Sequence, residues 1–221
     1  MTYILHIESA TKNCSVAISK DAELIGCIEE TPEGYEHSEK LSVFIDKAIR
    51  QVGITYQDLS AIAVSKGPGS YTGLRIGVST AKGLCYALDI PLISIPTTDV
   101  LAKSYSKKLT ENDIICAMID ARRMEVYCAF YNHLLQPISD IKAIVVDEHF
   151  AKEYSEKHIH FMGDVASKIK GTIAVKNHTI ENIYPSSKSM IESVLKKYTQ
   201  QQFEDVAYFE PFYLKEFFTP F

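Results

Sequence analysis

The stretch Lys66-Gly67-Pro68-Gly69-Ser70-Tyr71-Thr72-Gly73-Leu74-Arg75-Ile76-Gly77 decides the fold of this chain. It follows a short apolar run, residues 61–64, that is typical of a buried strand, and it leads into a nearly uncharged segment, residues 74–88, that is typical of a buried helix. A strand, a glycine turn and a helix in this order expose backbone N–H groups at the helix N-terminus, where anions such as phosphate bind. Ser70 and Thr72 can each cap this helix with a hydroxyl group.

The spacing of the glycine turn fits neither common phosphate-binding motif. A P-loop needs Gly, four residues and then Gly-Lys-Ser/Thr, and a dinucleotide site needs GxGxxG, whereas here Gly67 and Gly69 are followed by Gly73. Gly73, Gly77 and Ala81 are four residues apart, so one helix face is nearly bare backbone that a neighbouring element could approach closely. The turn therefore predicts either close packing or anion binding.

The composition is that of a globular protein and argues against several other classes. The chain has 221 residues, of which 46% are hydrophobic and 23% are charged, and its net charge is −5. No apolar run reaches the roughly 18 residues of a membrane span, and no basic segment precedes the apolar residues at the N-terminus. The acidic balance disfavours direct nucleic-acid binding. Five cysteines without a CxxC pair predict reduced thiols and a cytoplasmic protein.

Apolar periodicity predicts the same order of elements twice along the chain. The first half begins with three strands and continues with alternating helices and strands, at residues 3–7, 14–19, 24–28, 38–52, 61–65, 71–88, 91–95 and 97–106. The second half repeats this order with weaker helices, at residues 114–119, 125–131, 141–146, 147–157, 158–162, 164–170, 172–175 and 186–198. This pattern predicts an α/β protein with a duplicated βββαβαβα unit, the second copy degenerate. We place the domains at residues 1–106 and 107–221, although the end of the chain could return to the first domain.

Several short motifs, taken in order, resemble the TsaB family. They are Ile7-Glu8-Ser9-Ala10-Thr11, His37-Ser38-Glu39, the run from residue 65 to residue 77, Asp120-Ala121-Arg122 with Glu125-Val126-Tyr127, and Pro211-Phe212-Tyr213-Leu214. The match covers nearly the whole chain, and the glycine-rich run is its most specific part. The resemblance implies a two-domain actin-like (ribonuclease H-like) ATPase fold. It also implies a subunit of the machinery that makes threonylcarbamoyladenosine next to the anticodon of ANN-reading tRNAs.

The resemblance further implies partners and a non-catalytic role. The paralogous TsaD subunit would carry the transferase site, the ATPase TsaE would join the two, and tRNA would be met indirectly through the complex. The two first-domain helices would pack against the matching helices of TsaD, or against a second copy in a homodimer when the chain is alone. The expected interface residues are Leu41, Ile45, Tyr71, Gly73, Leu74, Gly77, Val78 and Ala81.

The residues of the expected cleft bear on nucleotide binding. Glu8 could serve a metal ion beside phosphates. The expected vestigial phosphate region consists of Glu8, Thr11, Gly67, Gly69, Ser70 and Thr72. Only Gly163 and Gly171 follow Gly83, so the glycine-rich adenosine turn of active actin-like ATPases is missing. We therefore expect no resident cofactor. Nucleotide binding at the subunit interface or in the residual cleft stays open, as does the alternative of a small actin-like kinase or ATPase.

Two further features of the cleft have alternative interpretations. Arg122 and Arg123 could contact phosphate, or they could form ion pairs with Asp120 or Glu125, as surface arginines usually do. His37 lies at a helix start, where a capping or surface role is more common than a catalytic one. The sequence leaves the roles of these three side chains undecided.

The histidines argue against a metal enzyme. They lie at positions 6, 37, 133, 149, 158, 160 and 178, so there is no His-x-x-x-His pair as in TsaD-like enzymes and no HExxH motif. His158 and His160 share one strand face, but the sequence shows no third ligand beside them. We therefore expect no metal site, no catalytic residue and no metalloprotease activity.

Overall fold

The structure is a computed structural model that describes residues 1–31 and 37–215. Its first sheet consists of β1 (Tyr3–Glu8), β2 (Cys14–Lys20), β3 (Glu23–Glu30), β4 (Leu59–Ser65) and β5 (Leu92–Ile95). Its second sheet consists of β6 (Asp113–Asp120), β7 (Glu125–Tyr131), β8 (Lys142–Val145), β9 (His158–Met162) and β10 (His178–Glu181). The spatial orders, β3-β2-β1-β4-β5 and β8-β7-β6-β9-β10, are equivalent. This duplication confirms the predicted α/β fold.

The helices among the described residues are α1 (His37–Val52), α2 (Tyr71–Leu88), α3 (Thr97–Lys103), α4 (Ala166–Ile169) and α5 (Ile191–Thr199). In the part of the chain that the structure describes, we find none with the length and apolar character needed to cross a bilayer. Helix α1 repeats apolar side chains at offsets of three and four, and Leu41, Ile45 and Ala48 pack with the strands of the first sheet. Helix α2 adds Val78 and Ala81 to the same core.

Residues 187–204 lie against the first sheet. Val194 of α5, together with Met190 just before that helix, packs against Ile93 and other residues on the face opposite α1 and α2. Further along, the Glu204 N–H donates to the Leu92 carbonyl oxygen at 2.9 Å. The predicted domain boundary at residue 106 therefore places residues 187–204 in the second unit, although they pack on the first sheet.

Helix α3 lies between the two sheets. Its Val100 belongs to the core that contains α5, whereas Leu101 and Ala102 pack in a second core with Ile115 and Ala117 of β6. The other face of the second sheet is covered by a mixture of loops and short helices. One short helix therefore contributes to the burial of both sheets.

Two predicted elements of the second unit are wrong. In place of the helix at residues 147–157, only a 3-10 turn forms, at Lys152–Tyr154. Ala151 adopts a φ of +60°, which interrupts a helix, and it is buried with Phe150 against the second sheet. The strand expected at residues 172–175 lies instead at β10, where backbone pairing with β9 is available. In both places tertiary packing overrides local propensity.

Candidate functional site

The turn after β1 packs directly on the N-terminus of α2. The Ser70 N–H donates to the Ala10 carbonyl oxygen at 2.7 Å, and the Ser70 hydroxyl caps the helix by accepting from the Gly73 N–H at 3.3 Å. A Cβ atom at Gly69 would lie 2.4 Å from the Ala10 carbonyl oxygen, and one at Gly73 would lie 2.1 Å from the Ser9 carbonyl oxygen. The glycines therefore serve close backbone packing, and the chain itself fills part of the expected phosphate cradle.

Gly67 is enclosed by two other segments of the chain. Its N–H donates to the Thr97 hydroxyl at 3.1 Å, and its carbonyl oxygen accepts from the Thr97 N–H at 2.9 Å. A Cβ atom at Gly67 would lie 2.7 Å from the Phe212 carbonyl oxygen, and its φ of +111° favours glycine. The backbone at Phe212 thus covers the turn at the point where the sequence predicts a phosphate.

The carboxyl group of Glu8 is completely buried under this junction. Its Oε1 accepts from the Ala10 N–H at 2.7 Å. Among the described residues, neither Glu8 Oε2 nor the Ser65 hydroxyl makes a hydrogen bond of good geometry. Burial raises the pKa of Glu8 to about 7, although the Ala10 N–H, the nearby Ser65 hydroxyl and the Ser9 N–H oppose that rise. The sequence-based hypothesis is that Glu8 serves a metal ion beside phosphates. In this structure its carboxyl group is completely buried and does not face an open cleft.

His37 joins the start of α1 to the same turn. Its Nε2 lies 2.6 Å from the Thr11 carbonyl oxygen, which can only accept, so the imidazole donates. Burial lowers the pKa of His37, and the bond to Thr11 opposes this shift only in part. The residue is therefore a neutral, buried link between two segments. Thr11 is buried beside it, whereas Thr72, also expected near phosphate, is exposed on α2.

The turn between β6 and β7 is exposed and carries charge. Arg122 and Arg123 have φ values of +69° and +51°. The Arg122 backbone N–H donates to Asp120 Oδ1 at 2.6 Å. The ion-pair partner of Asp120 among the described residues is Lys168, and Lys215 pairs with Glu125 beyond the turn. Within the described part of the chain, the carboxylates of Asp120 and Glu125 thus pair with lysines, and not with Arg122 and Arg123 as one of the two alternatives expected.

The predicted interface residues lie mainly inside the chain. Seven of the eight are buried, and Tyr71 is half-buried; the seven are Leu41, Ile45, Gly73, Leu74, Gly77, Val78 and Ala81. A Cβ atom at Gly77 would lie 2.2 Å from the Ser9 hydroxyl oxygen, so the small face of α2 already has its partner within the chain. These side chains cannot line an open surface, and this assignment is corrected.

The opposite side of α2 is open. Five of its residues form one stripe at offsets of three and four, which we term the outer face of α2; they are Thr72, Ile76, Ser79, Gly83 and Ala87. Ile76 is half-buried and the others are exposed. A Cβ atom at Gly83 would meet nothing within 4 Å. The sequence alone does not single out this stripe, because α2 is apolar on more than one face.

Residues 207–213, which we term the C-terminal segment, border this outer face. Lys82 Nζ donates to the carbonyl oxygens of Ala207 and Phe209, at 3.2 and 2.8 Å. The ring of Tyr213 lies with its centroid 4.9 Å from that of Tyr71. The segment is therefore fixed along one side of α2 by hydrogen bonds and aromatic contact.

The structure also brings a third potential ligand to the two strand histidines. Asp113 lies at the start of β6. Its Oδ1 is 3.0 Å from His160 Nε2, within the distance of a hydrogen bond or an ion pair. His160 is buried and His158 is half-buried. Asp113 was missed because it is distant in sequence and only the sheet register places it there.

The duplicated sheets and the junction at the carboxyl ends of β1 and β4 define a two-domain α/β protein of the actin-like (ribonuclease H-like) ATPase class. The sequence model of the family described as TsaD, tRNA N6-adenosine threonylcarbamoyltransferase, matches residues 32–216. The chain belongs to the TsaB (YeaZ-like) family, within the wider group that this model covers.

The individual relatives agree with this membership. The tRNA threonylcarbamoyladenosine biosynthesis protein TsaB of Buchnera aphidicola subsp. Schizaphis graminum is 32% identical over 85% of this chain and 90% of its own length. The TsaB protein of Bacillus subtilis is 30% identical over 77% of this chain and 74% of its own length. YeaZ from Pseudomonas aeruginosa matches 97% of this chain and 100% of its own with a TM-score of 0.84, and at 21% identity this shows the shared fold.

Proposed function

We propose that this chain is a non-catalytic subunit that binds and activates a TsaD transferase in the biosynthesis of tRNA threonylcarbamoyladenosine. The names of its relatives support a role in that pathway. The observation that carries the finer proposal is the contrast between the two sides of α2. The side facing the expected phosphate region is filled by Ser9 and Ala10, whereas the outer face is open and, apart from half-buried Ile76, lined by small residues.

The filled side argues against independent catalysis. A phosphate at the start of α2 would compete with the Ala10 carbonyl oxygen for the Ser70 N–H. Glu8 would have to leave a fully buried position, and its hydrogen bond with the Ala10 N–H, to reach a metal ion. Both changes would break close backbone packing in this junction, so we assign the chemistry to the partner.

The open side suits a helical partner. Thr72, Ser79 and Gly83 project little side-chain volume, so another helix can approach the backbone of α2 closely. TsaD is a paralogue of similar fold, so its equivalent helices can pack about a pseudo-twofold axis. A second copy of this chain can use the same face in a homodimer when TsaD is absent. TsaE would then join the assembled pair, and tRNA would be met through the complex.

A bulky residue on the outer face tests this proposal. Gly83→Trp places an indole in open space, so the fold of the chain should be preserved while close helix approach is blocked. We expect the Kd for TsaD, measured by isothermal titration calorimetry, to rise at least tenfold. Lys196→Trp is the matched control, since Lys196 is exposed on α5. It should bind TsaD as the unmodified chain does.

Two outcomes would contradict the proposal. Unchanged affinity of Gly83→Trp for TsaD, with circular dichroism showing a folded helix, would remove α2 from the interface. Stoichiometric binding of magnesium-ATP to the isolated chain, followed by turnover, would instead favour the small ATPase or kinase. The second result would leave the interface measurement intact, so the two failures are distinguishable.

A further inference from the structure

Asp113, His158 and His160 converge at one end of the second sheet. Strands β6 and β9 are parallel neighbours, and their register places Asp113 opposite His158 and Ile115 opposite His160. Residues at alternate positions of a strand project from the same face, so all three functional side chains share one side of the sheet. This end holds the amino termini of the parallel strands, opposite the turn at residues 120–124.

The three side chains are close enough to share one ion. One ligand atom from each lies within 4.8 Å of the others. His160 Nε2 is 3.0 Å from Asp113 Oδ1, and the centroids of the two imidazole rings are 4.6 Å apart. Ligand atoms around tetrahedral zinc are about 3.4 Å apart, which is closer than the largest separation here. Rotation of the half-buried His158 side chain would bring its nitrogen to that distance from the other two ligand atoms.

The surrounding hydrogen bonds orient the ligand atoms. His158 Nδ1 lies 2.6 Å from Asn177 Oδ1, an acceptor, so this nitrogen carries the proton and Nε2 keeps its lone pair. His160 Nδ1 lies 2.8 Å from the hydroxyl groups of both Thr179 and Tyr105, which leaves its Nε2 directed at Asp113. A second nitrogen held by a polar neighbour is the usual arrangement of metal-bound histidine.

The carboxylate is oriented in the same manner. Asp113 Oδ2 accepts from the Thr110 N–H at 2.7 Å and from the Thr110 hydroxyl at 2.6 Å. These two bonds occupy Oδ2 and leave Oδ1 toward the imidazoles. Each of the three groups thus has one polar atom held by a neighbour and one atom turned to the common centre.

We propose that Asp113, His158 and His160 form a binding site for a divalent transition metal, with zinc as the ion of best fit. Two imidazole nitrogens and one carboxylate oxygen are ligands that zinc accepts, and water would complete a tetrahedron. The ion would link β6 to β9 at the amino ends of these strands. Open α/β sheets bind substrates at the opposite end, where the carboxyl ends of the strands lie. This location favours a structural role even though one coordination position is left to water, and occupancy should stabilise the second unit.

Cobalt titration of the chain tests this site. A tag-free, EDTA-treated chain should bind one equivalent of Co²⁺, with the visible absorption of a tetrahedral complex, and Zn²⁺ should displace it. His158→Asn should weaken binding at least tenfold, since it removes one ligand at a half-buried position. Asn177→Ala keeps all three ligands and should weaken binding about tenfold. His149→Asn is the control, because exposed His149 lies 3.6 Å from the Glu148 carboxylate and is not one of the three proposed ligands.

The unmodified chain should also melt at a higher temperature with Zn²⁺, and His158→Asn should lose that rise. Histidine ¹⁵N spectra should show the metal on Nε2 of His158. Absence of saturable binding by the unmodified chain would overturn the site and leave a hydrogen-bonded Asp113–His160 pair. Equal binding by His158→Asn, or loss of binding in His149→Asn, would overturn it as well.

Discussion

The turn after β1 and the turn after β6 occupy the same position in two sheets of the same strand order, but they are built in opposite ways. The first turn packs its backbone on a glycine-rich neighbour, with Glu8 buried beneath it. The second turn exposes Arg122 and Arg123, and the adjacent Asp120 forms an ion pair with Lys168. One topology thus supports a closed junction in one unit and a charged, open turn in the other.

This difference shows what specifies the duplicated topology. Both sheets obtain their strand order from buried apolar strands and from hairpins followed by crossovers. The connecting turns are free to diverge, because their chemistry does not determine which strands pair. Packing in the first unit and surface electrostatics in the second can therefore be tested separately.

The largest effect is expected at the closed junction. Gly73→Ala would place a Cβ atom 2.1 Å from the Ser9 carbonyl oxygen, and a backbone atom cannot give way easily. We expect the free energy of unfolding, measured in urea, to fall by about 3 kcal/mol.

Gly83→Ala is the matched control on the same helix. Its Cβ would lie in open space, so alanine's better helix propensity should raise the stability by up to about 1 kcal/mol. Equal stability of the two variants would show that the small face of α2 is not packed as described.

The next effect concerns the buried acid. The pKa of Glu8 is raised from 4.5 to about 7 in the folded chain, so the folded state holds this proton more tightly than the unfolded state. The resulting stability is fully present below about pH 4.5 and is lost as the pH rises through 7. Glu8→Gln should remove this dependence, which amounts to roughly 3 kcal/mol between pH 4.5 and 8. Parallel pH–stability curves for the two proteins would contradict the buried, unpaired carboxyl group.

The smallest effect is expected at the open turn. Asp120→Asn removes the ion pair with Lys168 but retains Oδ1 as an acceptor for the Arg122 N–H. Because this carboxylate is exposed, we expect a loss below about 1 kcal/mol that shrinks further in high salt. A loss as large as that of Gly73→Ala in the same urea experiment would mean that the two turns do not differ as proposed.

Much of the fold was predictable from local patterns. Helix α2 and strand β9 have the predicted bounds, because a glycine turn with a serine cap and a short run ended by glycine are strong local features. The errors at residues 147–157 and 172–175 have a different cause. There the burial of Phe150 and pairing with β9 decide the structure, and neither is encoded locally.

The candidate sites were less predictable than the fold. The stripe of Gly73, Gly77 and Ala81 was identified as a site of close approach, but the sequence could not tell whether the approaching element belongs to this chain. Asp113 joins His158 only through the parallel pairing of strands distant in sequence. In both cases the missing information is long-range geometry, which side-chain periodicity does not contain.

Photo-crosslinking tests most directly whether the outer face of α2 meets the partner. Benzoylphenylalanine would replace Ser79 on that face, or Val145 on β8, which is 60% exposed in the second unit. With purified TsaD, the account predicts a crosslinked heterodimer from position 79 and none from position 145. Crosslinking from position 145 with none from position 79 would contradict the account.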